Sequence, residues 1–250
     1  MSTPTPRVIS RAMYLILGIL LFSMESNGQC PTGIPYTESF STTATTTSAT
    51  STAYPCLTLG ATTGDGWRAS GTSSSYNTVL APNPGDHTPG GGTNFAWVDM
   101  SGVDAGTTLS LPTLDASTAT APALSFAYHM APSSTSSYTP NELYVEYYNG
   151  SSWTSIWSYT NATSGWEVFY VDLSSISSLN SLQLRFRAES GGSSSDFYGD
   201  HGLDDIFVGN VSCIPAVINF PTVGSSSVTF SSATAGTGTT FNIEYGPAGF

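Results

Sequence analysis

Residues 142–157 read ELYVEYY, then Asn149-Gly150-Ser151, then SWTSIW. Two aromatic-rich runs joined through Asn-Gly form the strongest short-range hairpin signal, because both turn residues tolerate the positive φ of a type I′ turn. Alternation along the first run places Leu143, Val145 and Tyr147 on one face and Tyr144, Glu146 and Tyr148 on the other. The same grammar recurs along the chain. Short apolar or aromatic runs at residues 36–40, 66–70, 95–99, 107–111, 123–128, 155–159, 167–172, 182–188 and 203–208 are separated by clusters of Gly, Pro, Asn, Asp and Ser. Helical periodicity of useful length is missing beyond the N-terminal segment. Short strands punctuated by turn signals predict an all-β, antiparallel sandwich.

The last of those runs lies in YGDHGLDDIFV, residues 198–208, where Asp204 and Asp205 sit inside an apolar strand. Strict alternation predicts Leu203, Asp205 and Phe207 on one face, with Asp204, Ile206 and Val208 on the other. Both faces are apolar, so at least one carboxylate is expected to be partly buried and to need a hydrogen-bond partner or a metal.

Charged residues make up only 9% of the chain, with 17 acids against five arginines and no lysine. That balance excludes nucleic acid as a partner, since phosphates demand a basic footprint, and argues against adhesion to an anionic membrane surface. It suits an extracellular module whose acidic clusters take a hard cation such as calcium. Aromatic residues at 12% supply enough apolar area for a core, so disorder is expected only in the Ser/Thr tract at 41–52. At the N-terminus, Arg7 and Arg11 precede the apolar run AMYLILGILLF, residues 12–22, followed by small and polar residues to Gly28. This order reads as a secretory signal peptide over residues 1–28, with an uncleaved anchor as the rival. Contact with a membrane would come only through this segment or through a parent protein. Of the three cysteines, Cys30 and Cys56 bracket the first stretch of the mature chain and are the expected disulfide, leaving Cys213 over.

A composition break falls at 210–215. Beyond it, residues 217–220, 227–231 and 241–245 read as alternating strands, too few for an independent domain. They are expected to open a second domain that continues past residue 250.

Several motifs in one order carry a family resemblance: Tyr36-Thr37-Glu38-Ser39-Phe40, Gly66-Trp67-Arg68, Gly85-Asp86-His87-Thr88, Leu124-Ser125-Phe126-Ala127-Tyr128-His129-Met130, Gly165-Trp166, and Gly199-Asp200 followed by Leu203-Asp204-Asp205-Ile206. Together they resemble the MAM domain, over residues 29–211. The tail, 212–250, resembles the first strands of a fibronectin type III module of large secreted bacterial proteins. The resemblance implies an antiparallel jelly-roll β-sandwich followed by an incomplete immunoglobulin-like sandwich. It also implies an adhesion or recognition role, and a cation tying first and last strands together, with Glu38, Asp65, Asp86, Asp204 and Asp205 as calcium ligands. The same carboxylates also suit turn capping, Asp86 above all as an Asx-turn residue. The family's usual cysteine number is not matched, since only Cys30 and Cys56 fall inside the domain.

His87 and His201 each follow an aspartate, but no GxSxG or HExxH stretch accompanies them, and the resemblance gives His129 a structural role. The chain is therefore expected not to be an enzyme. Tyr144 and Tyr148, on the outward face of their run, are the candidate ligand-binding residues, although such aromatics serve equally as cross-strand pairs. The expected function is a secreted or cell-surface, non-enzymatic module for an extracellular protein or glycan. The alternatives are an accessory targeting domain of a secreted peptidase or glycosidase, and a carbohydrate-binding module.

Overall fold

The computed structural model describes residues 30–40, 56–60, 66–69, 86–88, 95–100, 106–130, 140–163, 165–192, 199–211 and, as backbone, 217–218, 222–223, 228–229 and 232–234. The chain divides into compact units Met1–Cys30 and Pro31–Phe250, and the fold below belongs to the second. The expected signal peptide, Cys213 and residues 241–245 lie outside the described residues.

Eleven strands build the sandwich: β1 (Tyr36–Glu38), β2 (Thr58–Leu59), β3 (Trp67–Ala69), β4 (Ala96–Val98), β5 (Thr107–Ser110), β6 (Pro122–Met130), β7 (Glu142–Tyr148), β8 (Trp153–Tyr159), β9 (Glu167–Asp172), β10 (Leu184–Glu189) and β11 (His201–Asn210). Every strand expected before residue 211 is present; β2, a two-residue edge, is additional. One sheet has the order β3-β4-β11-β6-β9, with β1 also on β11; the other runs β2-β5-β10-β7-β8. The pairs β4 with β11, β5 with β10, β6 with β9 and β7 with β8 are nested. A chain folded into one long hairpin, with β7–β8 at its tip, and then rolled so that successive pairs alternate between sheets gives this order. That is the antiparallel jelly roll.

The sandwich closes because each strand offers one apolar face. From β6, Leu124, Phe126, Tyr128 and Met130 enter the core, and from β10, Leu184, Phe186 and Ala188. Phe126 meets Phe186 edge-on at 5.0 Å and Trp157 at 5.2 Å. Each such side chain contributes about 1.5–3 kcal/mol by burial, and edge-to-face geometry adds to it.

Two local expectations are corrected. In the β7–β8 hairpin Gly150 carries φ 98° and is the only residue of the turn with positive φ, while Asn149 N–H donates to the Ser152 carbonyl at 3.0 Å. The two-residue loop is therefore Gly150-Ser151, with Gly where a type II′ turn requires it, rather than a type I′ turn at Asn149-Gly150. The Asn149 side chain instead caps the loop, accepting from Ser151 N–H and Ser152 N–H at 3.0 Å each.

Strict alternation along β11 also fails. Asp204 opposes Ala127 and Phe207 opposes Ser125, so Asp205 and Ile206 share a single partner position, Phe126. This is a β-bulge, with Asp205 in the left-handed region at φ 45°. The bulge absorbs one residue, so Leu203, Ile206 and Val208 stand together in the core, with Asp204 and Phe207 on the other side of the sheet.

Beyond Val211, β12 (Val217–Ile218) pairs with β15 (Ser232–Thr234) and β13 (Thr222–Val223) with β14 (Val228–Thr229). The runs expected at 217–220 and 227–231 contain β12 and β14.

Candidate functional site

Two places concentrate polar side chains. The first is the β11 bulge. Along one edge of β11, residues His201, Gly202 and Leu203 pair with β4, and Ile206, Phe207 and Val208 pair with β1. Asp204 and Asp205 fall at the junction, where neither neighbour supplies a ladder, and residues 86–88 take the vacant place. His87 N–H donates to Asp204 Oδ2 at 2.9 Å, His87 Nδ1 lies 2.7 Å from Asp205 Oδ2, and Thr88 Oγ1 donates to Asp205 Oδ1 at 2.6 Å. Asp86 forms the expected Asx turn, accepting from Thr88 N–H at 2.7 Å.

Asp204 is fully buried. Burial pushes its carboxyl up to about 8, aided by the charges of Asp205 and Asp86 and opposed by the N–H donors of His87 and Asp205. Asp204 is thus held largely as the neutral acid at neutral pH. Asp86 Oδ2 is buried with no hydrogen-bond partner among the described residues. Glu38, at the end of β1, caps Phe40 N–H at 2.8 Å, and burial raises its carboxyl above the usual range. It shares a cavity of about 190 Å³ with Asp205. The structure therefore gathers Asp86, Asp204 and Asp205, with Glu38 alongside; Asp65 lies outside the described residues. Among the described residues no group of three or more His, Cys, Asp or Glu is arranged to hold a metal.

Neither histidine ring bonds to the aspartate that precedes it in the sequence. His87 turns to Asp205. His201 is fully buried and its Nδ1 meets the Tyr128 hydroxyl at 2.9 Å, while Asp200 accepts from Met100 N–H at 2.9 Å. Desolvation pushes His201 down to about 3 and His129 down to about 4, so both are neutral buried imidazoles. Cys30 and Cys56 are both disulfide-bonded, as the expected bridge requires.

The second place is the outward face of the five-stranded sheet. Leu143 and Val145 enter the core as expected, with Tyr147 packed against it. Tyr144, Glu146 and Tyr148 point outward, beside Arg187 and Arg185 of β10. Glu146, buried at its carboxylate, accepts from Arg185 Nε at 2.7 Å and Arg187 Nε at 2.9 Å. The two guanidiniums then lie over aromatic rings, Arg187 on Tyr144 at 4.0 Å and Arg185 on Trp153 at 4.2 Å. Tyr148 adjoins Trp153 with ring centroids 5.6 Å apart. Glu142 accepts from the Tyr144 hydroxyl, and Glu189 pairs with Arg187.

The candidate tyrosines thus belong to a row of stacked cations and rings fixed by one central carboxylate, with one face of Tyr144 under a guanidinium. Sequence reasoning placed Glu146 on this face but missed Arg185 and Arg187 beside it. The signal was present: in LRFRAE the arginines alternate with Leu, Phe and Ala, which sends both to the solvent side of a strand.

No protein-family model matches this chain, and no curated protein matches it. Among solved structures, the K2 cleaved adhesin domain of Lys-gingipain is similar at TM-score 0.45 and 18% identity, covering 69% of this chain and 98% of that one. The CBM22-1 xylan-binding domain of Paenibacillus barcinonensis Xyn10C is similar at TM-score 0.42 and 12% identity, covering 74% of this chain and 100% of that one. TmCBM61, solved with β-1,4-galactotriose, is similar at TM-score 0.37 and 13% identity, covering 62% and 88%.

Proposed function

We propose that the chain is a non-catalytic recognition module of a secreted or surface protein, of MAM-like type, that takes a polar extracellular ligand, protein or glycan, on the outward face of β5, β10, β7 and β8. The observation that carries this reading is the pair of guanidiniums held by Glu146 against Tyr144 and Trp153. Arg, Tyr and Trp are the side chains enriched at binding hot spots, and here their order is established before any ligand arrives, which lowers the entropy cost of binding. Disulfide-bonded Cys30 and Cys56 support an oxidising, extracytoplasmic setting. The test is binding of the unaltered protein to arrays of glycans and of extracellular proteins, repeated with Tyr144→Ala combined with Tyr148→Ala and with Arg185→Ala. A ligand held equally well by all three proteins would sink the assignment.

We propose a second role for the acidic bulge, as a calcium-dependent clasp between β1, β11 and residues 86–88. The Asp86 oxygen without a hydrogen-bond partner among the described residues and the burial of Asp204 beside it support it; carboxylate oxygens are the donors calcium prefers. Calcium is then expected to raise the melting temperature, and Asp205→Ala to remove the effect. No calcium-dependent shift in the unaltered protein ends this reading.

A further inference from the structure

We infer a second ligand site on the opposite sheet, a stacking platform formed by Phe207 for an uncharged, extended pyranose chain. Because of the β11 bulge, Phe207 points outward from the six-stranded sheet, and its ring leans along the strand over Gly209. A Cβ at Gly209 would stand 2.6 Å from Phe207 Cζ, so only glycine lets the ring lie there. The ring is half-buried and has neither a ring partner nor a cation above it among the described residues. That separates it from Tyr144 and Trp153, each already covered on one face by an arginine.

Two cavities meet at this ring. One of about 310 Å³ is lined by Ile34, Pro35, Thr118, Phe207 and Asn210. The other, of about 190 Å³, runs on the far side to Glu38 and Asp205. A bare aromatic face set between hollows with hydrogen-bonding groups at each end is how a ligand site is built: apolar contact for area, a few polar atoms for orientation. The Asn210 side-chain carbonyl oxygen is occupied by Thr120 N–H and Ala121 N–H, which leaves its amide N–H groups to donate. The Glu38 carboxylate at the other end accepts.

The ligand class follows from shape and charge. Thr37, Phe207, Ser125 and Tyr170 form one cross-strand row on the same face. The two aromatics stand two strands apart, about 9–10 Å, with small Ser125 between them. Two half-buried rings at that spacing fit alternate units of an extended sugar chain, whose C–H faces stack while hydroxyl edges reach Glu38 and Asn210. Glu38, Asp205 and a chain net charge of −12 repel uronate or sulfated chains. This site does not depend on the five-stranded face, and either can fail alone.

The test is an NMR titration of the full chain with xylohexaose and cellohexaose, with oligogalacturonate as the anionic probe. Shifts centred on Phe207, Gly209 and Tyr170 are expected with at least one neutral probe and not with the anionic one. Phe207→Ala, and Gly209→Ala, which keeps the ring but lifts it off the sheet, should each weaken that neutral probe about tenfold. Failure of both neutral probes to bind, preference for the anionic probe, or shifts centred on Tyr144 and Arg185 overturns the proposal. Should either variant unfold, the map on the unaltered chain decides.

Discussion

Replacing Asp204 by asparagine isolates the consequence of burying that carboxyl. In the folded chain it titrates near 8, against 3.8 in the unfolded one. The folded form therefore keeps a proton that the unfolded form releases, and the contribution to stability is complete below pH 3.8 and is lost as pH rises through about 8. Between about pH 4 and 7 one proton separates the two states across three pH units, at about 1.4 kcal/mol each, so the loss is about 4 kcal/mol. The asparagine amide does not titrate, but it can accept only one of the two N–H donors, from His87 and Asp205, that Asp204 accepts. One lost hydrogen bond costs about 1 kcal/mol. The Asp204→Asn variant should thus be less stable than the natural chain near pH 4 and more stable near pH 8. Urea unfolding of both proteins in chelator at about half-unit pH steps measures the difference directly. Subtraction removes the histidines, which act on both alike. A stability difference that stays constant from pH 4 to 8 would refute the desolvation argument; a variant weaker at every pH would do the same.

His201 and His129 act in the other direction. Their folded values near 3 and 4 lie below the ordinary 6.5, so stability is present above 6.5 and lost as pH falls toward them. His201→Gln should flatten that acid limb in a pH series of melting curves. Glu146→Ala frees two guanidiniums and uncovers their rings, and should cost about 2 kcal/mol in urea unfolding, moderated because both arginines are partly exposed. Phe126→Ala, at the centre of the aromatic core, should cost about 3–5 kcal/mol, visible as a large drop in melting temperature. Calcium must displace the proton from Asp204, so any melting shift it produces should grow between pH 6 and 9.

The strand positions were legible because apolar–polar alternation and turn residues are local signals: β7 with its Leu143, Val145 and Tyr147 face is the clearest case. The edge strand β2 was not, since a two-residue ladder against β5 is set by the partner rather than by its own pattern. The grouping of Asp86, Asp204 and Asp205 came from motif order, whereas the attachment of His87 and Thr88 to those carboxylates depends on a gap between β4 and β1 that no local pattern announces. The arginine face lay in plain alternation, but its meaning required knowing that β10 sits beside β7. Pairing across about 40 residues is a product of the roll.

The bulge on β11 joins these strands of argument. Without the bulge, strict alternation of the same sequence would turn Leu203 away from Ile206 and Val208 and send Asp204 into the core beside them; an unpaired carboxylate in that apolar interior costs several kcal/mol even after relaxation. Seating Asp205 and Ile206 opposite a single residue shifts the pleat by one position, so all three apolar residues reach the core and both acids lie at the gap between β4 and β1, where His87 N–H and the Thr88 hydroxyl donate. The left-handed φ of Asp205 is more accessible to an aspartate than to most residues. The same shift turns Phe207 outward over Gly209. One bulge thus keeps the core face continuous, gathers the acids with His87 and Thr88, and leaves the aromatic ring outward, which explains why a strand with carboxylates at its centre closes the fold.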